Sequence, residues 1–509
     1  MAETQSIGAA DAKPARRGER FIVRTLAGLV LAASSGALAT LAFPPFDLWP
    51  LIFVAFVPMA VAQHRVMPRA LAPLAPGAGI AVYYAGQLSA GLADGDVVWY
   101  IQLWPLYVGL FVAALCWPGR HFHERTGYRW IAVSFPLAWT AIDAARMLSG
   151  VDVLAGTWGN PAYALYELPH LLQPLALIGI FGLEFLLLVI NFAIAGLLIA
   201  ALSRDGARVR WAGGAAAITA AFAIGWGAVS MAMFTPQQGG LRVAPVMSNS
   251  RIETEADFQN LFTVTREAAQ QGAQVVVWHE GALRFDPLVE RTEELRALAR
   301  ETGAYLAIGY RLIEESGLAR NEAVVFAPDG RTFGPYGKSH PGRFAGDLSD
   351  TGGEYKVYDT TLGRIATIIC YDLDFTDSAR EMARRGAQFI AVPSNDVPAI
   401  AGTHYTHLVF RAIENRLPMA KADSFFDTAI IDAWGRILAR EVNLLTREQA
   451  AARDTATDIA PTAIIADVPL GGAGTFYTRF GDWFGWLVMA GAALGFLAGA
   501  MISFRKARP

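Results

Sequence analysis

Apolar segments crowd the first 235 residues of this 509-residue chain. They fall at about 22–42, 49–62, 71–91, 98–118, 130–146, 171–201 and 211–234, and an eighth follows at about 483–503. Most approach the ~20 residues a helix needs to cross a bilayer. The second is short and the sixth long, which predicts tilt or interruption. With 54% hydrophobic and 17% charged residues and a mean hydropathy of +0.33, the composition excludes a purely soluble protein. The loops between the segments alternate in charge. Lys13, Arg16, Arg17 and Arg20 precede the first segment. Arg65 and Arg69, then Arg120, Arg125 and Arg129, then Arg204, Arg208 and Arg210 mark every second loop, whereas 43–48, 92–97 and 147–170 hold no Lys or Arg. This is the positive-inside pattern.

The pattern predicts a disordered cytoplasmic tail over 1–20 and a seven-helix region over 21–235. It places a domain over 240–470 on the far side of the membrane, a returning helix over 482–504, and a basic cytoplasmic tail over 505–509. The first segment has no small-residue cleavage site and is not expected to be a removable signal. Trp99, Trp104, Trp483 and Trp486 lie near segment ends, as interfacial tryptophans do. Asp143 and Arg146 are costly in lipid and are expected to form a structural pair facing protein.

The region 240–470 has a different rhythm. Runs at 241–247, 274–279, 304–309, 322–327, 355–359, 365–369, 388–392 and 428–432 are strand-like. Helical periodicity intervenes at about 255–271, 288–302, 376–385 and 404–416. Strands with helices between some of them predict one α-β-β-α sandwich. The fold class expected is therefore an α-helical transmembrane bundle of about eight spans plus an extracytoplasmic α/β domain.

Within that domain the stretch Leu362–Asp377, LGRIATIICYDLDFTD, stands out. A β-branched run ends at Cys370, and a helix is expected from Thr376. A cysteine at a strand exit and helix entrance would have its thiolate favoured by nearby N–H groups and the helix dipole. A buried structural cysteine is the bland alternative. Cys116, the second of two cysteines, lies in an apolar segment, so no intramolecular disulfide is expected in the outer domain. Glu280 ends the strand-like QVVVWHE, and Lys338 lies in YGKSHP. A carboxylate can take the proton of a cysteine attacking a carbonyl, and an ammonium can stabilise the oxyanion that develops. The net charge of −3 suggests no nucleic-acid partner, and no metal or other cofactor is expected.

Glu280, Lys338 and Cys370, in that order, resemble the triad of the carbon–nitrogen hydrolase (nitrilase) superfamily. Further motifs extend the likeness along the chain: LAFPPFDLWPL at 42–52, LLQPLALIGIFGLEFLLLVIN at 171–191, WHEGA at 278–282 and GKSHP at 337–341. ICYD at 369–372, SND at 394–396, RAIENRLP at 411–418 and TFYTRFGDW at 475–483 complete the set. Together they resemble the apolipoprotein N-acyltransferase family, a nitrilase-like domain held between seven membrane helices and an eighth. The resemblance implies ping-pong transfer of an acyl chain from a phospholipid, through a cysteine thioester, to the N-terminal amine of a diacylglyceryl-cysteine lipoprotein. It implies a bacterial cytoplasmic (inner) membrane location with the catalytic domain on the periplasmic side. Tyr371 and Asp372, which follow Cys370, are supporting candidates.

The chain departs from the family pattern at several points. His279 stands where proline is usual, and Asp372 where glutamate is. Gly346, with Asp347 beside it, occupies the place of a second glutamate. Val397-Pro398 replaces Trp-Phe, AKADS (420–424) replaces Arg-Ala-Thr-Asn, and SNSRIETEADF lacks an expected tryptophan. The departures leave open a membrane-tethered amidase or nitrilase, or a non-catalytic paralogue that binds lipid or lipoprotein. Phe285–Leu288 and Asp396–Ala401 are candidate mobile arms over the acyl chain. His404 and His407, three apart on a helix, are expected on a polar face rather than as metal ligands. His121 and His123 are read only as loop polarity.

Overall fold

The structure is a computed structural model. It describes residues 12–88, 102–149, 156–202, 206–232, 240–248, 252, 254–343, 347–350, 352–397, 400, 402–424, 426–443, 448–449, 452 and 461–506. Trp99, Gly346, Pro398, Ala399, Ala401 and the loop 92–97 lie outside the described residues. The chain divides into two compact units: residues 1–89, 98–136 and 186–220, and residues 90–97, 137–185 and 221–509.

The first unit is helical. Its leading helix, Ala12–Leu41, begins about ten residues before the apolar segment, so the basic residues expected in a disordered tail lie on helix. The helix Leu74–Gln87 packs against it closely, with Gly36 against the backbone of Gly79 and Tyr83. Asn191 ties in the segment around residue 54, accepting from Phe56 N at 3.0 Å and donating to Ile52 O at 2.9 Å. His123 is buried, 3.0 Å from Ser134 Oγ and edge-on to His64, so its role is packing rather than loop polarity.

Among the described residues, three helical stretches are long and apolar enough to cross a membrane: Gly18–Leu41, Trp49–Val66 and Leu175–Leu202. Ala217–Ser230 and Trp483–Leu497 are apolar but shorter. The long sixth segment is interrupted at Gly179, where φ is +62°. A Cβ there would stand 2.4 Å from the Tyr477 ring, so only glycine fits. The backbone N–H that the break frees at Ile180 is capped by Glu414 at 3.0 Å.

The second unit holds two sheets. One runs β12-β1-β2-β3-β4-β5, from β1 (Leu241–Met247), β2 (Val275–Leu283), β3 (Tyr305–Ile313), β4 (Ala319–Phe326), β5 (Thr332–Gly337) and β12 (Thr462–Ala463); β13 (Ala466–Val468) also pairs with β1. The other runs β11-β10-β9-β8-β7-β6, from β6 (Val357–Thr360), β7 (Gly363–Thr367), β8 (Phe389–Pro393), β9 (Met419–Ala422), β10 (Asp427–Ile431) and β11 (Ile437–Val442). β1-β2-β3 and β7-β8-β9 are parallel, and the flanking pairs are antiparallel.

The period-2 alternation of β2 sorts its side chains. Val275 and Val277 face the second sheet with Ile365, Phe389, Ala391 and Ile430. Val276 and Trp278 face the helices Glu255–Gln270 and Thr292–Thr302 through Phe262, Leu295 and Leu298. Helices Thr376–Arg384 and Tyr405–Asn415 belong to the second half of the chain. The elements form the expected nitrilase-like α/β domain, with five strands beyond those expected: β5 (TFGPYG) and β11 at sheet edges, β9 between β8 and β10, and β12 and β13 beside β1. A proline is tolerated at an edge, which is why β5 does not read as a strand in the sequence. Phe285 and Leu288 pack against the helix-covered core, and the Phe285 and Phe258 rings lie 6.2 Å apart, so this stretch is a packed loop rather than a free arm.

Candidate active site

Glu280 owes its position to a bulge. Trp278 pairs with Ile308 and Leu283 with Tyr310, so His279, Glu280, Gly281 and Ala282 stand opposite the single residue Gly309. A Cβ on Gly309 would meet His279 O at 2.5 Å and Glu280 Cα at 2.8 Å, so glycine is what lets the bulge close. His279, in the place of the usual proline, is fully buried with Nδ1 3.0 Å from Glu280 O.

Lys338 follows β5 and is buried. Its Nζ donates to Glu280 Oε1 at 2.9 Å and to Asp347 Oδ2 at 2.9 Å. Asn321 Nδ2, from β4, adds a 2.5 Å bond to the same Glu280 oxygen. Burial alone would lower the ammonium's pKa, but the negative charges of Glu280, Cys370 and Asp347 outweigh it and hold the pKa well above the usual value. Asp347, beside Gly346 in the sequence, is thus a second carboxylate on this lysine.

Cys370 opens a 3-10 turn, Cys370–Asp374, with φ +45°, a conformation rare for non-glycine residues and characteristic of constrained functional turns. The regular helix starts only at Thr376, so the cysteine is not at its N-terminus. Nor is its thiolate favoured as expected: burial pushes the thiol well up, Glu280 and Asp396 add to this, and Lys338 opposes it.

The two supporting candidates differ. Asp372 accepts four hydrogen bonds: from Ser339 N at 3.1 Å, His340 N at 2.8 Å, Tyr336 Oη at 2.7 Å and Ile369 N at 2.9 Å. It locks the lysine loop to the cysteine turn, and the shorter aspartate makes all four contacts. Tyr371 is buried, its ring edge-on to Phe375 at 5.2 Å. The sequence thus brought Glu280, Lys338, Cys370 and Asp372 into one site.

Two family models match the chain: the apolipoprotein N-acyltransferase N-terminal domain over residues 35–193 and the carbon-nitrogen hydrolase over residues 242–455. An apolipoprotein N-acyltransferase of Geobacter metallireducens is 26% identical over 94% of this chain and 95% of its own length. The chain belongs to the apolipoprotein N-acyltransferase family. Omega-amidase NIT2 of Homo sapiens is 30% identical over 34% of this chain and 75% of that protein. A solved amidase from Nesterenkonia sp. is 20% identical, covers 46% of this chain and 92% of its own, and has a TM-score of 0.37.

Within this member of the apolipoprotein N-acyltransferase family, a buried ionic chain adjoins Cys370. Asp396 Oδ1 lies 3.9 Å from Cys370 Sγ and also accepts from Ser394 Oγ at 2.8 Å. His404 Nδ1 is 2.8 Å from Asp396 Oδ1 and its Nε2 3.3 Å from Asp374 Oδ2; His407 Nδ1 is 2.5 Å from Asp374 Oδ1. Both histidines are fully buried, not on a polar face. Lys421, from the divergent AKADS run, donates to Asp396 Oδ2 at 2.7 Å and to Asp427. The groups Asp374/His404/His407, Cys370/Asp396/His404 and Asp396/Asp423/Asp427 each bring three donor atoms within 4.8 Å. In the first group both rings converge on the single carboxylate of Asp374. Sequence reasoning missed this chain, and the Asp/His spacing of SND and THYTH was its only trace.

Proposed function

We propose that the protein is a membrane N-acyltransferase that moves a fatty acyl chain from a phospholipid, through a thioester on Cys370, to the α-amine of a diacylglyceryl-cysteine lipoprotein. The observation that carries this reading is the Glu280–Lys338 contact acting on buried Cys370, in a chain that matches an apolipoprotein N-acyltransferase over nearly its whole length. The human omega-amidase matches only 34% of this chain.

In the first half-reaction Glu280 takes the thiol proton as Sγ attacks the ester carbonyl. The Lys338 ammonium faces the developing oxyanion. The tetrahedral adduct collapses to the thioester, and Glu280 returns the proton to the departing lysophospholipid alkoxide. In the second, Glu280 takes a proton from the incoming ammonium and the freed amine attacks the thioester. The amide forms, the thiolate leaves, and the amine's second proton restores the thiol. One proton passes to solvent per turnover. Amine outcompetes water where it is held in place and water is kept out.

The arrangement in the membrane is part of the same reading. Eight spans hold the domain 240–470 on the periplasmic face of the bacterial inner membrane, with its mouth near the bilayer surface.

The test is intact-protein mass spectrometry after incubation with mixed phospholipids. A fatty-acyl adduct on Cys370 should form, persist in detergent, and discharge on adding a diacylated lipopeptide with a free amine. N-acetylating the lipopeptide should block discharge. Rapid release of free fatty acid without amine would replace this reading with a lipase-like hydrolase.

A further inference from the structure

His404 precedes the helix Tyr405–Asn415, and its ring nitrogens engage carboxylates from two other segments. Asp374 closes the turn that Cys370 opens, and Asp396 follows β8. A ring nitrogen of His404, an oxygen of Asp396 and Cys370 Sγ all lie within 4.8 Å of one another. An isolated carboxylate 3.9 Å from Sγ has the wrong sign for a nucleophile that must pass through its thiolate. Two cations oppose it: Lys421 Nζ at 2.7 Å and the His404 ring at 2.8 Å. Aromatic rings close the other side. Tyr163 stacks on His407 at 4.0 Å, and Trp158 lies 4.7 Å from His407 and 6.0 Å from His404. In so dry a setting a single charge acts strongly.

We propose that His404 is a positioning residue for the nucleophile: as an imidazolium shared by Asp374 and Asp396, it holds the Cys370–Asp374 turn in place and offsets the carboxylate charge beside Sγ. Burial alone would strip the ring of its proton, but Asp396 and Asp374 raise its pKa to about 9. His407 has only Asp374, and burial pulls it down to about 4. The two histidines, alike in sequence, therefore carry different charges at neutral pH. The charged groups facing Cys370 are Glu280, Lys338, Asp396 and Lys421. Those facing His404 are Asp374, Asp396 and His407, with Lys421, Asp423 and Asp427 closing on Asp396 from behind.

The inference rests on Cys370 being the nucleophile, and its deciding readout, thiol alkylation, does not depend on acyl transfer. The full chain in detergent is treated with iodoacetamide across a pH series, and the alkylation rate is read at the Cys370 peptide. His404→Gln keeps hydrogen-bonding groups but not the charge. It should move the alkylation profile up by about one pH unit, while His407→Gln leaves it in place. Phospholipid turnover by His404→Gln should fall about tenfold in kcat with KM within about twofold. A His404→Gln profile that overlays wild type, or an equal shift in His407→Gln, overturns the proposal. Should His404→Gln fail to fold, His404→Asn carries the same measurement; failure of both to fold makes the residue structural and the proposal wrong. Failure of the acyl-transfer reading looks different: wild-type protein would form no acyl adduct, whatever the alkylation profiles do.

Discussion

Asp347 Oδ2 stands 2.9 Å from Lys338 Nζ, the same distance at which Glu280 Oε1 meets that ammonium. Two carboxylates from different segments thus converge on one buried lysine. Burial would raise the Asp347 pKa, but Lys338 and the Ser349 donors bring it down to about 2, so it is ionised throughout the working range. Asp347→Asn keeps the shape and removes the charge. The rate of acyl-enzyme formation should fall about tenfold or more, the scale of a disturbed electrostatic group. A rate within twofold of wild type would reduce Asp347 to a spectator.

The triad variants should separate chemistry from folding. Cys370→Ala and Cys370→Ser should abolish turnover. Glu280→Gln and Lys338→Ala should each lower it at least about a hundredfold. None opens a large cavity, so thermal unfolding should stay cooperative. A folded Lys338→Ala protein with near-normal rates would remove the lysine from the mechanism.

Asp372 should matter through structure first. Asp372→Ala leaves the N–H groups of Ile369, Ser339 and His340 without their acceptor in a buried site. A loss of about 3 kcal/mol is expected, because stranded buried donors carry a full desolvation penalty. Denaturant titration of the full chain reads it. An unchanged midpoint would mean that the lysine loop and the cysteine turn are held together by other contacts.

The histidines predict opposite pH limbs of stability. His404 has a raised pKa of about 9, so its contribution is complete below the unfolded value near 6.5 and is lost as pH rises through 9. His407 has a lowered pKa of about 4, so its contribution is complete above about 6.5 and is lost as pH falls through 4. Thermal unfolding temperature against pH should lose its alkaline slope in His404→Gln and its acidic slope in His407→Gln. Identical profiles for both variants would contradict the charge assignment.

Reporter fusions test the membrane arrangement. Fusions at residues 66, 122 and 206 should report cytoplasm and one at 350 the exterior, because the Arg-free loops alternate with basic ones. A cytoplasmic signal at 350 would invert the proposed topology.

Much of this protein is legible along the chain because its information is local. Apolar length marked three helices long enough to cross a membrane among the described residues, and β-branched runs marked β1, β3, β7 and β8 to within a residue or two at their starts. Glu280 and Cys370 were visible because each closes such a run, and Lys338 through the motif GKSHP. The ends were less legible: β2 runs on to Leu283 through a bulge that no periodicity announces.

The tertiary structure decided which charges meet. His404 and His407 carry the spacing of an ordinary polar helix face, and only packing buries them on Asp374 and Asp396. Lys421 looked like the loss of a motif and turns out to reach Asp396, 25 residues away, across β8 and β9. The cysteine's thiol, which local sequence placed at a helix N-terminus, is set instead by burial and by carboxylates from other segments. Periodicity and loop charge act over a few residues and are fixed by the sequence itself. Desolvation and ion pairing depend on which segments the parallel crossovers and sheet stacking bring together, and that exists only once the chain has folded.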